Sequence, residues 1–181
     1  MAAKMKTRVF IAIIAPPGLQ KSVADWQARS SIKNVRWLAP QDLHITLIPP
    51  FYADEKELAE AKEKCRVLQA EVEPFTVQFE NVSFGPNRRE PRLIWASGAA
   101  PAELVALQKR LEDKFGTGEE KRKFLPHLTI ARFKPEAFNA FEQKELNEAV
   151  DWQAAVSSFS LMSSQLTPDG AGYEVVEEFG N

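Results

Sequence analysis

Hydrophobic and polar positions along this chain switch between a period of two and a period near 3.6, and the switches mark its elements. Arg8 to Ile14 is a short apolar run stopped by Pro16-Pro17, the pattern of a buried strand. Leu19, Val23 and Trp26 follow at helical spacing. Asn34 to Leu38 reads as a short extended piece, and Leu43 to Ile48 as a strand closed by Pro49-Pro50. Asp54 with Glu57 three residues later has the form of a capping box, opening a helix with an inner face of Leu58, Ala61, Cys65 and Leu68. Phe75, Val77 and Phe79 alternate with polar residues as in a half-buried strand. Gly85-Pro86-Asn87 is a turn, and Leu93 to Ala96 another strand. Pro101 begins a helix carrying Leu104, Leu107, Leu111 and Phe115, with Gly116 just past its end. Gly116 to Lys123 is a charged loop. Pro126 pushes Leu125 towards extended geometry and leads into a strand from His127. Pro135 to Val150 reads as a weakly periodic helix. Phe159 to Leu166 and Gly172 to Glu178 are strand-like, joined by the turn Pro168-Asp169-Gly170.

Strands and helices mix without regular βαβ units. The pattern predicts an α+β fold with largely antiparallel sheets. Residues 1–181 are expected to form a single domain, long enough for one sizeable core or for two lobes sharing one. Each half of the chain holds one histidine strand followed by a predicted helix, which suggests two related, interleaved lobes.

Composition then narrows the chemistry. Apolar residues make up 44% and charged residues 27%, as in a soluble globular protein. A net charge of −2 means that the molecule as a whole does not attract polyanions, so a phosphate must be caught by a local positive cluster. The single Cys65 excludes an intrachain disulfide and a cysteine-rich zinc site, and fits a reducing compartment. No apolar run reaches the ~20 residues of a membrane span, and no signal-peptide pattern follows the first strand. The expected location is the cytoplasm.

Only two histidines are present, and each begins the same pattern: His44-Ile45-Thr46-Leu47 and His127-Leu128-Thr129-Ile130. With six threonines in 181 residues, that coincidence is rare. A period of two sets His and Thr on one strand face and the aliphatic residues on the other. One imidazole can accept a proton while another donates one. Threonine hydroxyls can donate to non-bridging phosphate oxygens. Cleaving a cyclic phosphodiester needs both services, with no nucleophilic Ser or Cys and no metal. Metal binding is poorly served, because two imidazoles lack an acidic partner at a telling spacing.

These motifs and their surroundings resemble the RNA 2′,3′-cyclic phosphodiesterases, also called 2′-5′ RNA ligases, of the two-histidine (2H) phosphoesterase superfamily. The matching pieces are Phe10-Ile11-Ala12-Ile13, Leu43-His44-Ile45-Thr46-Leu47, Pro91-Arg92-Leu93-Ile94-Trp95, Pro126-His127-Leu128-Thr129-Ile130-Ala131-Arg132, and the run from Ser163 through Pro168-Asp169-Gly170 to Tyr173-Glu174. They span almost the whole chain. One departure lies after the first motif, where Ile48-Pro49-Pro50-Phe51 replaces the family's frequent Lys-Phe-Leu-Gly.

The resemblance implies two antiparallel sheets flanking a central cleft, with helices outside and one H-x-T strand on each wall. It implies hydrolysis of an RNA 2′,3′-cyclic phosphate to a 2′-phosphate without a metal. The expected protein is a monomeric enzyme without cofactor, acting on 2′,3′-cyclic phosphate ends of RNA or nucleotides and able to join RNA ends through 2′-5′ linkages in reverse. It assigns His44 as the acid that protonates the leaving 3′ oxygen and His127 as the base that activates water. Spacing alone leaves those two roles open. Other small cyclic phosphates or 2′-5′ oligoadenylates are alternative substrates. A non-catalytic RNA-end binding module is the alternative of a different class, against which two intact titratable groups argue.

The remaining candidates have two readings each. Arg132 resembles a family phosphate contact, yet in a regular strand it points away from His127 and Thr129. Phe51 is a candidate base-stacking residue or loop packing. Phe10 lines the cleft or belongs to the core, and Trp37 and Trp95 are expected in the core. Arg88, Arg89, Arg92 and Lys121-Arg122-Lys123 steer an RNA end or are solvated loop charges. Cys65, on an apolar helix face, is expected as a buried thiol.

Overall fold

A computed structural model describes residues 6–117, 124–167 and 170–180. Strand β1 (Thr7–Ile14) leads into helix α1 (Pro17–Arg29), then β2 (Arg36–Trp37), a 3-10 turn (Pro40–Asp42), β3 (His44–Ala53), α2 (Glu55–Gln69), β4 (Phe75–Gly85) and β5 (Leu93–Ser97). Helix α3 (Ala102–Phe115), β6 (His127–Arg132), the short α4 (Pro135–Phe138), β7 (Asn147–Val156), β8 (Ser158–Thr167) and β9 (Gly170–Gly180) complete it. The α+β class is as read from the pattern. The Lys121-Arg122-Lys123 cluster and most of the turn at Pro168-Asp169-Gly170 lie outside the described residues.

The helix ends follow local chemistry. Asp54 accepts from the Glu57 amide at 3.0 Å while Glu57 accepts from the Asp54 amide at 2.8 Å, the expected reciprocal cap. Gly116 closes α3 in the left-handed region, at φ 69°. The predicted inner faces are buried: Leu19, Val23 and Trp26 on α1, Ala61, Cys65 and Leu68 on α2, and Leu104, Leu107 and Leu111 on α3.

One expectation is corrected. Pro135 to Val150 is not a helix: α4 stops at Phe138 and β7 begins at Asn147. Glu142 to Ala149 is rich in helix formers, but pairing with β4 overrides that weak preference. The strand period appears only in the second half, in Val150, Trp152, Ala154 and Val156. Phe138 and Phe141 instead pack with Phe84 and Phe133 in an aromatic cluster.

The strands are ordered β7-β4-β5-β6-β3-β1-β8-β9, with β2 on the remaining length of β6. All of these pairings are antiparallel. The hydrogen-bonded path is continuous, where separate sheets were expected. Its two halves, β7-β4-β5-β6 and β3-β1-β8-β9, meet at one register pair, Ile45 with Leu128. The two histidine strands are the ones that meet there. The main core, including Ile45, Leu128, Val9 and Phe79, lies on the face that α1, α2 and α3 cover. The helices cross between halves: α1 leaves β1 yet packs against β7, and α3 leaves β5 yet packs against β3. No helix among the described residues is long and apolar enough to cross a membrane.

Candidate active site

Ile45 and Leu128 point into the core, so His44 and Thr46, and His127 and Thr129, point to the opposite face. Carried one residue each way, the register of that pair sets His44 across from Thr129 and Thr46 across from His127. The histidines then lie on a diagonal, which regular sheet geometry sets at about 7–8 Å. That spacing leaves room for a phosphate between them.

Each imidazole is pinned in the same way. His44 Nδ1 lies 2.7 Å from the carbonyl oxygen of Asp42, and His127 Nδ1 lies 3.1 Å from that of Leu125. A carbonyl only accepts, so each Nδ1 carries the proton and donates it. Each Nε2 is left to exchange protons with a ligand. The local chain explains the match. The 3-10 turn ending at Asp42 and the irregular Leu125-Pro126 segment each bring a carbonyl to the ring two residues on.

Both imidazoles are held below their ordinary pKa. For His44 burial is the main cause, with the Arg132 guanidinium and His127 adding to it and the Asp42 carbonyl partly offsetting it. For His127 burial again leads, followed by the Leu125 carbonyl in the opposing sense and then Arg132. One guanidinium therefore acts on both rings.

Arg132 reaches this face through an irregularity in β6. Trp95 pairs with Thr129, but Ile94 pairs with Ala131 and Leu93 with Arg132, so Ile130 is an extra residue. Such a bulge shifts the side-chain alternation by one. Leu93 and Trp95 share a face of β5, so Arg132, opposite Leu93, shares the face of Thr129 and His127. The regular-strand expectation that it points away is overturned. The bulged carbonyl is secured twice, accepting from the Leu38 amide at 2.9 Å and from Gln27 Nε2 at 3.2 Å.

Aromatic side chains border both rings. Phe10 and Tyr173 flank His44, with ring centroids at 5.0 and 4.9 Å. Trp95 lies 4.9 Å from His127 and donates its indole N–H to Ser83 Oγ at 3.0 Å. Trp95, expected in the core, is half-buried on the site face. The apolar run of Leu93 to Ala96 concealed this, because both of its faces look alike in sequence. Tyr173 carried no assigned role, and its contact spans distant strands that no local pattern links.

Phe51 is not brought to the site. It pairs with Val9 on the core face and its ring meets Phe115 at 5.9 Å, so it packs beneath the helices. Cys65 is buried on α2, and burial with the nearby Glu177 pushes its thiol up to about 12, which leaves an inert thiol. Among the described residues, no group of three or more His, Cys, Asp or Glu is placed to hold a metal ion.

Comparisons with known proteins point one way. A family model described as the 2'-5' RNA ligase superfamily matches residues 15–168. A protein of Methanothermobacter thermautotrophicus named RNA 2',3'-cyclic phosphodiesterase is 31% identical over 97% of this chain and 99% of its own. One of the same name from Methanocaldococcus jannaschii is 28% identical over 95% and 99%. Among solved structures, TT0787 of Thermus thermophilus superposes with a TM-score of 0.80 at 25% identity, covering 96% of this chain and 97% of that one. E. coli LigT complexed with 3'-AMP shares the fold at a TM-score of 0.77 and 21% identity, covering 97% and 98%. With the family match running from the end of the first strand to the end of β8 and across both histidine strands, the chain belongs to the 2'-5' RNA ligase superfamily.

Proposed function

We propose that the protein is a metal-independent phosphodiesterase that opens 2′,3′-cyclic phosphates at RNA or nucleotide ends to 2′-phosphates. The observation that carries this reading is the pair of H-x-T strands meeting side by side, each imidazole pinned through Nδ1 and free at Nε2. The names of the full-length relatives support the substrate class.

In this mechanism the phosphate lies between the rings, with Thr46, Thr129 and Arg132 around its non-bridging oxygens. His127 Nε2 takes a proton from water as the water oxygen attacks phosphorus. The bond from phosphorus to the 3′ oxygen breaks, and that oxygen takes the proton carried by His44 Nε2. The phosphate stays on the 2′ oxygen. With the 5′-hydroxyl of a second RNA end attacking that phosphorus in place of water, the bond to the 3′ oxygen breaks in the same way and the same groups join RNA ends through a 2′-5′ linkage.

Product analysis on RNA bearing a 2′,3′-cyclic phosphate, with chelator present, tests the reaction. A 2′-phosphate at undiminished rate is expected. Activity that vanishes with chelator and returns with a divalent ion overturns the mechanism. His44→Ala and His127→Ala each lose about 10² to 10⁴ in rate while remaining folded. A substrate with sulfur in place of the leaving 3′ oxygen separates the roles, because a thiolate departs without an acid. It should restore His44→Ala but not His127→Ala, and the opposite pattern reverses the assignment.

A further inference from the structure

At the ends of β4 and β7 lies a groove of about 590 Å³, lined by Ser83, Arg88, Arg89, Phe138, Lys144 and Asn147. It adjoins the histidine face. Ser83 pairs with Trp95 on one side and with Asn147 on the other, so all three share the face that carries His127 and Thr129. Trp95 spans the step, with His127 at its ring and Ser83 at its indole nitrogen.

The groove's charge is also distinctive. Arg88, Arg89 and Lys144 line it against a single acid, Glu145, in a chain whose net charge is −2. Several cations elsewhere on the surface are paired, among them Lys6 with Glu57, Lys21 with Asp25, Arg66 with Glu177 and Arg110 with Glu71. Arg88 and Arg89 are exposed and have no ion pair among the described residues. Guanidinium forks suit phosphate oxygens, and a half-buried indole beside them suits a stacked base.

We propose that this groove holds the RNA strand on the 5′ side of the cyclic phosphate, making the enzyme selective for oligonucleotide ends over cyclic mononucleotides. The proposal rests on the catalytic reading above, since it places the reacting ribose at His127 and the chain leading to it across Trp95. A cyclic mononucleotide fills the histidine site and leaves the groove empty.

The test compares wild type with Arg88→Glu/Arg89→Glu. Binding of a labelled oligonucleotide ending in a 2′-phosphate is measured by anisotropy over a range of salt. Turnover is measured on the same oligonucleotide with a 2′,3′-cyclic end and on a cyclic mononucleotide. Each lost contact to a single strand removes about 0.7 from the slope of log affinity against log salt. The variant should therefore show a slope shallower by about 1.4, with binding weakened about tenfold or more at low salt. Its kcat/KM should fall several-fold more for the oligonucleotide than for the mononucleotide. Arg88→Gln/Arg89→Gln, which adds no repulsive charge, should shift the same way. Unchanged oligonucleotide binding, or equal losses on both substrates, overturns the groove. If wild type turns over neither substrate, the catalytic reading falls, while the anisotropy still decides the groove.

Discussion

At the scale of single residues, the candidate site holds two imidazoles in matched tautomers and places one guanidinium near both. In the proposed mechanism the threonines serve the phosphate rather than the fold. Thr129 is buried and Thr46 half-buried, and neither hydroxyl has a hydrogen-bond partner among the described residues. Thr46→Ala and Thr129→Ala should each cost about 1.5–3 kcal/mol of transition-state binding, the worth of a hydrogen bond to a charged group. Catalytic efficiency should fall accordingly while thermal unfolding moves little, and unchanged efficiency in both would remove the hydroxyls from the mechanism. The pH dependence follows from the direction of the imidazole shifts. A base must be neutral, so activity is lost as pH falls through its pKa. An acid must be protonated, so activity is lost as pH rises through its pKa. Both imidazoles titrate below their ordinary value, so both apparent limbs of kcat/KM should lie on the acid side of about 6.5. The limbs belong to the coupled pair. Removing the Arg132 charge in Arg132→Gln relieves part of that depression. Both limbs should move to higher pH as efficiency drops, and a profile that does not move would separate the guanidinium from the rings.

At the scale of elements, β6 shows how one extra residue re-aims a side chain. Its first half follows the period of two that placed His127 and Thr129 correctly. After Ile130 the alternation shifts, and Arg132 joins them. Helix α1 supports this distortion from the core side. Gln27 Nε2 donates to the carbonyls of both Leu38 and Ile130, at 3.0 and 3.2 Å. Gln27→Leu should cost about 1 kcal/mol of stability. It should also move the pH limbs in the direction of Arg132→Gln, because a slackened bulge holds the guanidinium less firmly. A denaturant titration and a pH–rate profile on the same variant check both effects. A stability loss with an unmoved profile would confine Gln27 to the fold. Strand β7 illustrates a different limit, because its helix-forming composition yields to the pairing that β4 offers.

At the scale of the molecule, the two halves of the sheet are joined by one register pair but interleaved by the chain. The half centred on β1 receives its outer strands, β8 and β9, from the far end of the sequence. Helices α1 and α3 each pack across to the other half. We infer that the chain forms one cooperative unit of two interleaved lobes. Leu128→Ala tests what the junction does. Leu128 is fully buried, so the substitution should cost about 2–5 kcal/mol. Leu104→Ala, at a fully buried position on the inner face of α3, should cost a similar amount. Only Leu128→Ala should also lower kcat in the folded enzyme, because it loosens the junction that sets His44 diagonally across from His127. Equal kcat in the two folded variants would show that the histidine spacing is held from elsewhere.

Much of the site was legible because its chemistry is strictly local. The H-x-T spacing puts two side chains on one strand face whatever the rest of the chain does, and capping and amphipathic spacing are likewise short-range. The first residues of Asp54-Glu55-Lys56-Glu57 and the inner faces of α1, α2 and α3 were readable for that reason. What tertiary structure alone decided is relational. Strand order brings His44 and His127 together, a bulge visible only against β5 turns Arg132 inward, and the partner strand makes β7 extended. Trp95 leaves its expected place in the core, and Phe51 takes the packing reading over the stacking one, for the same cause. Both are apolar or aromatic in runs without a polar counter-face, so only the sheet that covers one side determines which residue meets the core and which meets the cleft.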